Sequence, residues 1–338
     1  MADRAPIGSG WRERAPAVLI VFLLAATPLV ARALGDPFIV KVATRVVVFA
    51  IAAVALNFVV GFGGLVSLCH AGLFGVGGYV VGVLAWHDFN AEPLLFLPGT
   101  SNLLVSIPAA AVVVGLLAAI VGAISLRTSG PYFLMITLAF NQMFYYGAVA
   151  LQKYGGEDGL QIMSNVTLGP FDMSDRYRFF YLALAFLAAA MFVLGRVVRS
   201  RFGMALRAAS RNETRVIAVG VDPWRYRLVA FVISGVVVGI AGALLAAGQQ
   251  FISPVDMGWD RSGDLVVMTV LGGIGSVWGP ALGAAAFVVL ELVLSSWTSH
   301  WQLAFGLLVI LIVVGLRGGL ADLGALAFGR RGTETAHG

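Results

Sequence analysis

Ten apolar runs follow one another along this chain, and they constrain its fold more than any other feature. They cover about 17–34, 41–60, 71–86, 103–126, 132–151, 179–198, 226–247, 263–277, 280–297 and 301–316. A helix of about 20 residues crosses roughly 30 Å of hydrocarbon, and most of the runs are near that length. Charged residues make up 12% of the chain, where an ordinary soluble domain has about 25%. Forty-two glycines suit the same class, because small residues let transmembrane helices approach closely. The expected fold is an all-α polytopic integral membrane protein of about ten transmembrane helices, some of them short or Gly-broken. The eighth run is short enough to be re-entrant. The third follows Gly61–Gly64 and carries Gly72, Gly75, Gly77 and Gly78.

One stretch breaks the apolar pattern. Between Arg196 and Arg227 lie eight arginines and only two acids, Glu213 and Asp222. With the N-terminus in the cytoplasm and the runs alternating, 15 basic residues fall inside and six outside, with Arg45 inside a span. Positive charge is retained on the cytoplasmic side, so both termini are expected there. The organisation that follows is a cytoplasmic segment 1–16, a single transmembrane domain 17–316 with a cytoplasmic loop 200–222, and a cytoplasmic tail 317–338. The basic start and the apolar run behind it could pass for a signal peptide. The run is long enough to span, however, and no small-x-small triplet near its end makes a convincing cleavage site, so it reads as a retained helix.

Other classes are excluded by what the chain lacks. Cys69 is the single cysteine, which rules out an intramolecular disulfide and a cysteine metal cluster. The histidines at 70, 87, 300 and 337 have no metal-binding spacing, and no covalent chemistry is expected. The only lysines are Lys41 and Lys153, and there is no G-x-x-x-x-G-K-[ST] phosphate loop. If ATP drives this protein, another polypeptide hydrolyses it. The net charge of +5 reflects membrane topology, not nucleic-acid binding.

Polar groups within apolar runs are costly and normally face a bundle interior. Asn57, Ser67, His70, Thr137, Asn141, Gln142 and Glu291 are therefore candidates for a substrate pathway. The competing reading is hydrogen bonding that only holds helices together. Arg45 could pair with Glu291, although no sequence feature establishes the contact. Residues 63–67, GGLVS, are similar to residues 272–276, GGIGS, and both precede spans running in the same direction. Repeats of this kind occur in transporters, whose sites lie where helices break.

Several segments together resemble one family. LNFVVGFGGLVSLCHA at 56–71 is similar to the LNL-x-x-G-x-x-G-x-x-SLGHA signature of branched-chain amino acid ABC importer permeases. RTSGPYF at 127–133 with TLAF at 137–140, GGEDGL at 155–160 and LGGIGSVWGP at 271–280 complete the resemblance in order. The GG-x-x-GL loop points to the larger, M-type subunit. Cys69 stands where the family usually has glycine, and Tyr154 where threonine is common.

The resemblance implies a non-catalytic permease subunit in a bacterial cytoplasmic (inner) membrane. Its partners would be a homologous second permease, two cytoplasmic ATP-binding subunits and a periplasmic or extracellular substrate-binding protein, surrounded by membrane lipid. The chain itself would bind no cofactor, the partners using the ATP. The expected cargo is leucine, isoleucine and valine, with urea, short amides or other amino acids as alternatives. A stand-alone ion-coupled transporter and a scaffolding protein fit less well. Within 200–222, apolar Phe202, Ala205, Leu206, Ala209, Val216 and Val219 recur at roughly helical spacing, interleaved with Arg207, Arg211 and Arg215. That pattern, with Glu213 and Gly220, is expected to couple to the ATPases. The outside loop 154–160 is expected to receive the binding protein.

Overall fold

A computed structural model describes residues 15–93, 99–164, 166–169, 171–297, 300–315 and 319–320. The segments 1–16 and 317–338 expected in the cytoplasm lie almost wholly outside these residues. Each of the ten apolar runs is helical over most of its length, and the described chain is mostly helix. The helices are α1 (Ala15–Leu34), α2 (Phe38–Asn57), α3 (His70–Phe89), α4 (Leu103–Ser125), α5 (Pro131–Ala150) and α6 (Arg176–Arg199). They continue with α7 (Arg201–Arg211), α8 (Glu213–Ala218), α9 (Pro223–Gln249), α10 (Trp259–Gly272), α11 (Gly279–Trp297) and α12 (Trp301–Gly315). Six segments are long and apolar enough to cross a membrane: Phe38–Phe62, Leu103–Ser125, Pro131–Ala150, Arg176–Arg199, Pro223–Gln249 and Gly279–Trp297. The eighth run differs from its expected bounds. Helix α10 has 14 residues, about 21 Å at 1.5 Å per residue, well short of a bilayer core.

Local chemistry sets the helix starts. Side-chain oxygens of Asn102, Asp175, Ser200, Asn212 and Asp222 accept backbone N–H groups in the first turns of α4, α6, α7, α8 and α9. Each satisfies a donor that would otherwise have no helical partner. Pro223 at the first position of α9 loses nothing, because its missing N–H falls where no bond is made.

Helix α3 lies at the centre, packed along α9, which in turn packs on α4. Glycine permits this closeness. A Cβ at Gly77 would stand 2.0 Å from the Gly239 carbonyl oxygen, and one at Gly242 would stand 1.7 Å from that of Phe74. The α10–α11 pair is equally tight, with a Cβ at Gly283 falling 1.9 Å from the Met268 carbonyl oxygen. Backbone approach of this kind replaces the hydrophobic drive that is absent between helices in lipid.

Two short antiparallel pairings occupy the loops. β1 (Leu160–Gln161) joins β4 (Phe251–Ile252), and β2 (Thr167–Leu168) joins β3 (Phe171–Asp172). Leu160 and Ile252 are both buried, seated against Gly78 and Gly82 of α3. The GGEDGL loop is thereby fastened to the end of α9. Tyr154 at its head hydrogen-bonds Nε2 of His87 at 2.9 Å.

Candidate functional site

Helix α2 widens into a π turn over Phe58–Phe62 and then breaks, and α3 restarts at His70. A buried polar group must find a partner, and the side chains around this break do so. Asn57 donates to the Ser276 carbonyl at 2.7 Å and accepts from the Gly275 N–H at 3.1 Å. The break that ends α2 therefore meets the 275–276 turn, with Asn57 as the fastener between them. Thr137 of α5 accepts from the Leu68 N–H at 3.2 Å. Ser262 of α10 donates to the Leu68 carbonyl at 2.6 Å.

His70 lies in a closed relay. Ser234 of α9 is 2.6 Å from the Ala55 carbonyl, to which it must donate, so the His70 Nε2 at 3.0 Å from Ser234 carries the hydrogen. His70 Nδ1 lies 3.1 Å from the Ser67 hydroxyl, so both ring nitrogens have partners. Asn141 accepts from the Gly72 N–H at 2.6 Å and donates to the Met257 carbonyl at 2.8 Å. Asn57, Ser67, His70, Thr137 and Asn141 thus each spend their hydrogen bonds holding the breaks in place.

Gln142 differs. Its Oε1 is buried and has no hydrogen-bond partner. It sits on α5, only 22% of whose span is buried. Tyr132, Met135 and Tyr146 form an exposed stripe there, and half-buried Gln142 lies at helical spacing between Met135 and Tyr146.

Glu291 meets Arg45, whose Nη2 lies 3.0 and 3.1 Å from the two carboxylate oxygens. Arg45 also stands 5.6 Å from the Phe49 ring centroid, and Arg261 stands 5.4 Å from the same ring. Arg261 pairs in turn with Asp264 at 3.2 Å and Asp256 at 3.7 Å. Lys41, Arg45, Asp256 and Arg261 line a cavity of about 560 Å³ among α2, α9, α10 and α11. Sequence reasoning missed Asp256, Arg261 and Asp264, because they sit at the edge of an apolar run and read as loop charge. The three-residue spacing of Arg261 and Asp264 was the available signal.

At the other end, α7 and α8 replace the single helix suggested by the arginine spacing. The chain is extended at Asn212, φ −156° and ψ 98°, so Arg215 does not continue the face that carries Arg207 and Arg211. Arg207 turns back onto the carbonyls of Gly203 and Val198 at 3.3 and 3.2 Å. Glu213 pairs with Arg227 at 2.9 Å. Arg211 and Arg215 are exposed, and Gly220 closes the segment at φ +80°. Helix α7 buries Leu206 and Ala209 and reaches the break: a Cβ on Gly64 would meet the Ser210 Cβ at 3.0 Å.

Glycine-broken helices in a membrane-length bundle, a charge-lined cavity at one end and a two-helix basic element at the other define a membrane permease. The family described as branched-chain amino acid transport system / permease component matches residues 38–314, and the chain belongs to it. The high-affinity branched-chain amino acid transport system permease protein LivM of Escherichia coli (strain K12) is 28% identical over 94% of this chain and 76% of its own. The protein of that name from Salmonella typhimurium (strain LT2) is 28% identical over 90% of this chain and 75% of its own. BraD of Pseudomonas aeruginosa, a permease of the same description, is 23% identical over 72% of this chain and 80% of its own. Similarity to LivH from Escherichia coli (strain K12) covers 39% of this chain, so the likeness is to the larger subunit. No solved structure matches.

Proposed function

We propose that this chain is one of two unlike permease subunits of a binding-protein-dependent ABC importer for leucine, isoleucine and valine. Family membership over residues 38–314 is the observation that carries the reading. Separate cytoplasmic subunits supply ATP hydrolysis, and a binding protein delivers cargo from outside. Both termini lie in the cytoplasm of the bacterial inner membrane. The single transmembrane domain runs over 17–316, between the cytoplasmic segments 1–16 and 317–338.

Coupling runs through 200–222. Arg211 and Arg215, exposed at the surface, receive the ATPase, while Arg207, Glu213 and Gly220 shape the element. Movement of α7 reaches Gly64 and from there the α2 break and the 275–276 turn. The pathway follows the α5 stripe around Gln142, where the second permease closes it. Asn57, Ser67, His70, Thr137 and Asn141 hold the wall of that pathway, and Glu291 steadies Arg45 of the charged cavity near its entrance. The loop 154–160 receives the binding protein, its exposed Glu157 and Asp158 offering acidic contacts.

Uptake of labelled leucine by cells lacking the gene, with and without its restoration, tests the reading. Energy-dependent uptake that returns with the gene and is blocked by isoleucine and valine is expected. Uptake of urea or short amides in place of leucine, with the companion subunits present, would replace the cargo and leave the machine.

A further inference from the structure

We propose that the charged cavity among α2, α9, α10 and α11 is a holding site for one free α-amino acid with an aliphatic side chain. The proposal rests on the reading of the chain as an amino-acid permease and says where in this subunit the cargo pauses. The cavity encloses about 560 Å³, within the range of small-molecule pockets. Both signs of charge line it, Lys41, Arg45 and Arg261 with Asp256, and Phe49, Leu245, Val288 and Leu292 add apolar wall.

Three of the charged groups are incompletely satisfied. Lys41 is exposed and makes no ion pair among the described residues. Arg261 meets Asp264 at 3.2 Å and Asp256 at 3.7 Å through its Nη atoms, but its Nε is buried without an acceptor. The Asp256 carboxylate has that long contact and the Ser253 backbone N–H, and burial still pushes its pKa above the ordinary carboxylate range. A separation of 3.7 Å is beyond a hydrogen bond, so its oxygens keep room for a closer donor. A buried donor and a buried carboxylate left in this state are each costly. One ligand answers both, with an ammonium for Asp256 and a carboxylate for Arg261 and Lys41.

The balance of charge narrows the occupant further. Arg45 is paired with Glu291 and Arg261 with Asp264, so Lys41, Arg45 and Arg261 are matched by Asp256, Asp264 and Glu291. A net anion or a net cation would upset that balance, and a zwitterion does not. The apolar wall then favours an aliphatic side chain over none. Position ties the cavity to α5. Asp256 lies in the short turn Pro254–Met257, and Asn141, the neighbour of Gln142, donates to the Met257 carbonyl at 2.8 Å. The turn that offers the ammonium acceptor is therefore fastened to the helix assigned to the pathway.

Binding of labelled leucine to the full chain in nanodiscs, with neither ATPases nor binding protein present, tests the site separately from transport. Saturable binding is expected, with glycine competing about tenfold or more weakly than unlabelled leucine. Isoamylamine, which lacks the carboxylate, and isocaproate, which lacks the ammonium, should each compete about tenfold or more weakly as well. Lys41→Gln changes an exposed side chain that holds no ion pair, and it should weaken leucine binding about tenfold. Asp256→Asn should do the same and also remove the difference between leucine and isocaproate, a signature that a loosened fold does not give. Absence of saturable binding to a chain that still restores leucine uptake to cells would overturn the site and leave the permease reading intact. Equal competition by leucine and isocaproate in the unaltered chain, or unchanged binding in both variants, would overturn it too. Absence of binding and of leucine uptake together would remove the cargo reading along with the site.

Discussion

Arg45 of α2 holds Glu291 of α11 with a single guanidinium nitrogen, Nη2, 3.0 Å from one carboxylate oxygen and 3.1 Å from the other. The side chains keep 33% and 19% of their exposure, so solvent screens the pair in part. Glu291→Gln should lower stability by about 1–3 kcal/mol, read as a lower melting temperature of the purified protein. The reversed pair, R45E with E291R, should recover most of that loss, and failure to recover would mean that packing and not charge holds the contact.

Asn57 satisfies two backbone groups of the 275–276 turn, and Asn57→Leu strands both of them. A loss of about 2–4 kcal/mol is expected from two buried unpaired groups. Asn57→Asp keeps the acceptor for the Gly275 N–H but turns a second oxygen onto the Ser276 carbonyl in a buried site, so it should cost at least as much. Equal stability of all three proteins would contradict the assigned hydrogen bonds.

Glycines divide sharply by what surrounds them. Gly242→Ala places a Cβ 1.7 Å from the Phe74 carbonyl oxygen, whereas Gly306→Ala in α12 meets nothing within 4 Å. The first substitution should abolish accumulation of folded protein, and the second should leave it unchanged. Fluorescence-detected size exclusion of tagged variants reads both.

The basic element separates into two roles. R211E with R215E should reduce co-purification of the ATPases while the melting temperature holds. Arg207→Gln should lower the melting temperature, because it frees the Val198 and Gly203 carbonyls, about 1 kcal/mol per lost bond. The opposite assignment of effects would move the docking face to Arg207.

Gln142→Leu removes a carbonyl that has no partner, so stability should hold or rise slightly. Leucine uptake should fall with expression unchanged. Normal uptake would take Gln142 out of the pathway.

Helix positions could be read from the sequence because bilayer thickness fixes the length of apolar runs, as α4 and α11 illustrate. The rotational phase of each helix is not set by length, and contacts between elements depend on it. Nothing in the chain announces that Arg45 meets a carboxylate 246 residues away. Nor does it announce that Arg261 joins Asp256 and Asp264 around one cavity. The division of the basic element was legible in principle: Asn212 before Glu213 is a helix-start pattern, outweighed by the regular spacing of Arg207, Arg211 and Arg215. The polar residues chosen as pathway candidates came from the cost of burial. Burial alone does not distinguish a fastener such as Asn141 from an unpaired group such as Gln142.

The meeting of the α2 break with the 275–276 turn has a consequence for how such chains can be recombined. A Cβ at Gly61 would lie 2.5 Å from Asn57 Oδ1 and 2.7 Å from the Gly275 nitrogen, so the segments are fitted to each other across most of the polypeptide. A chimaera joined anywhere between residues 70 and 270 inherits one of the two from each parent. Its success then depends on whether those two short stretches match, however similar the parents are elsewhere.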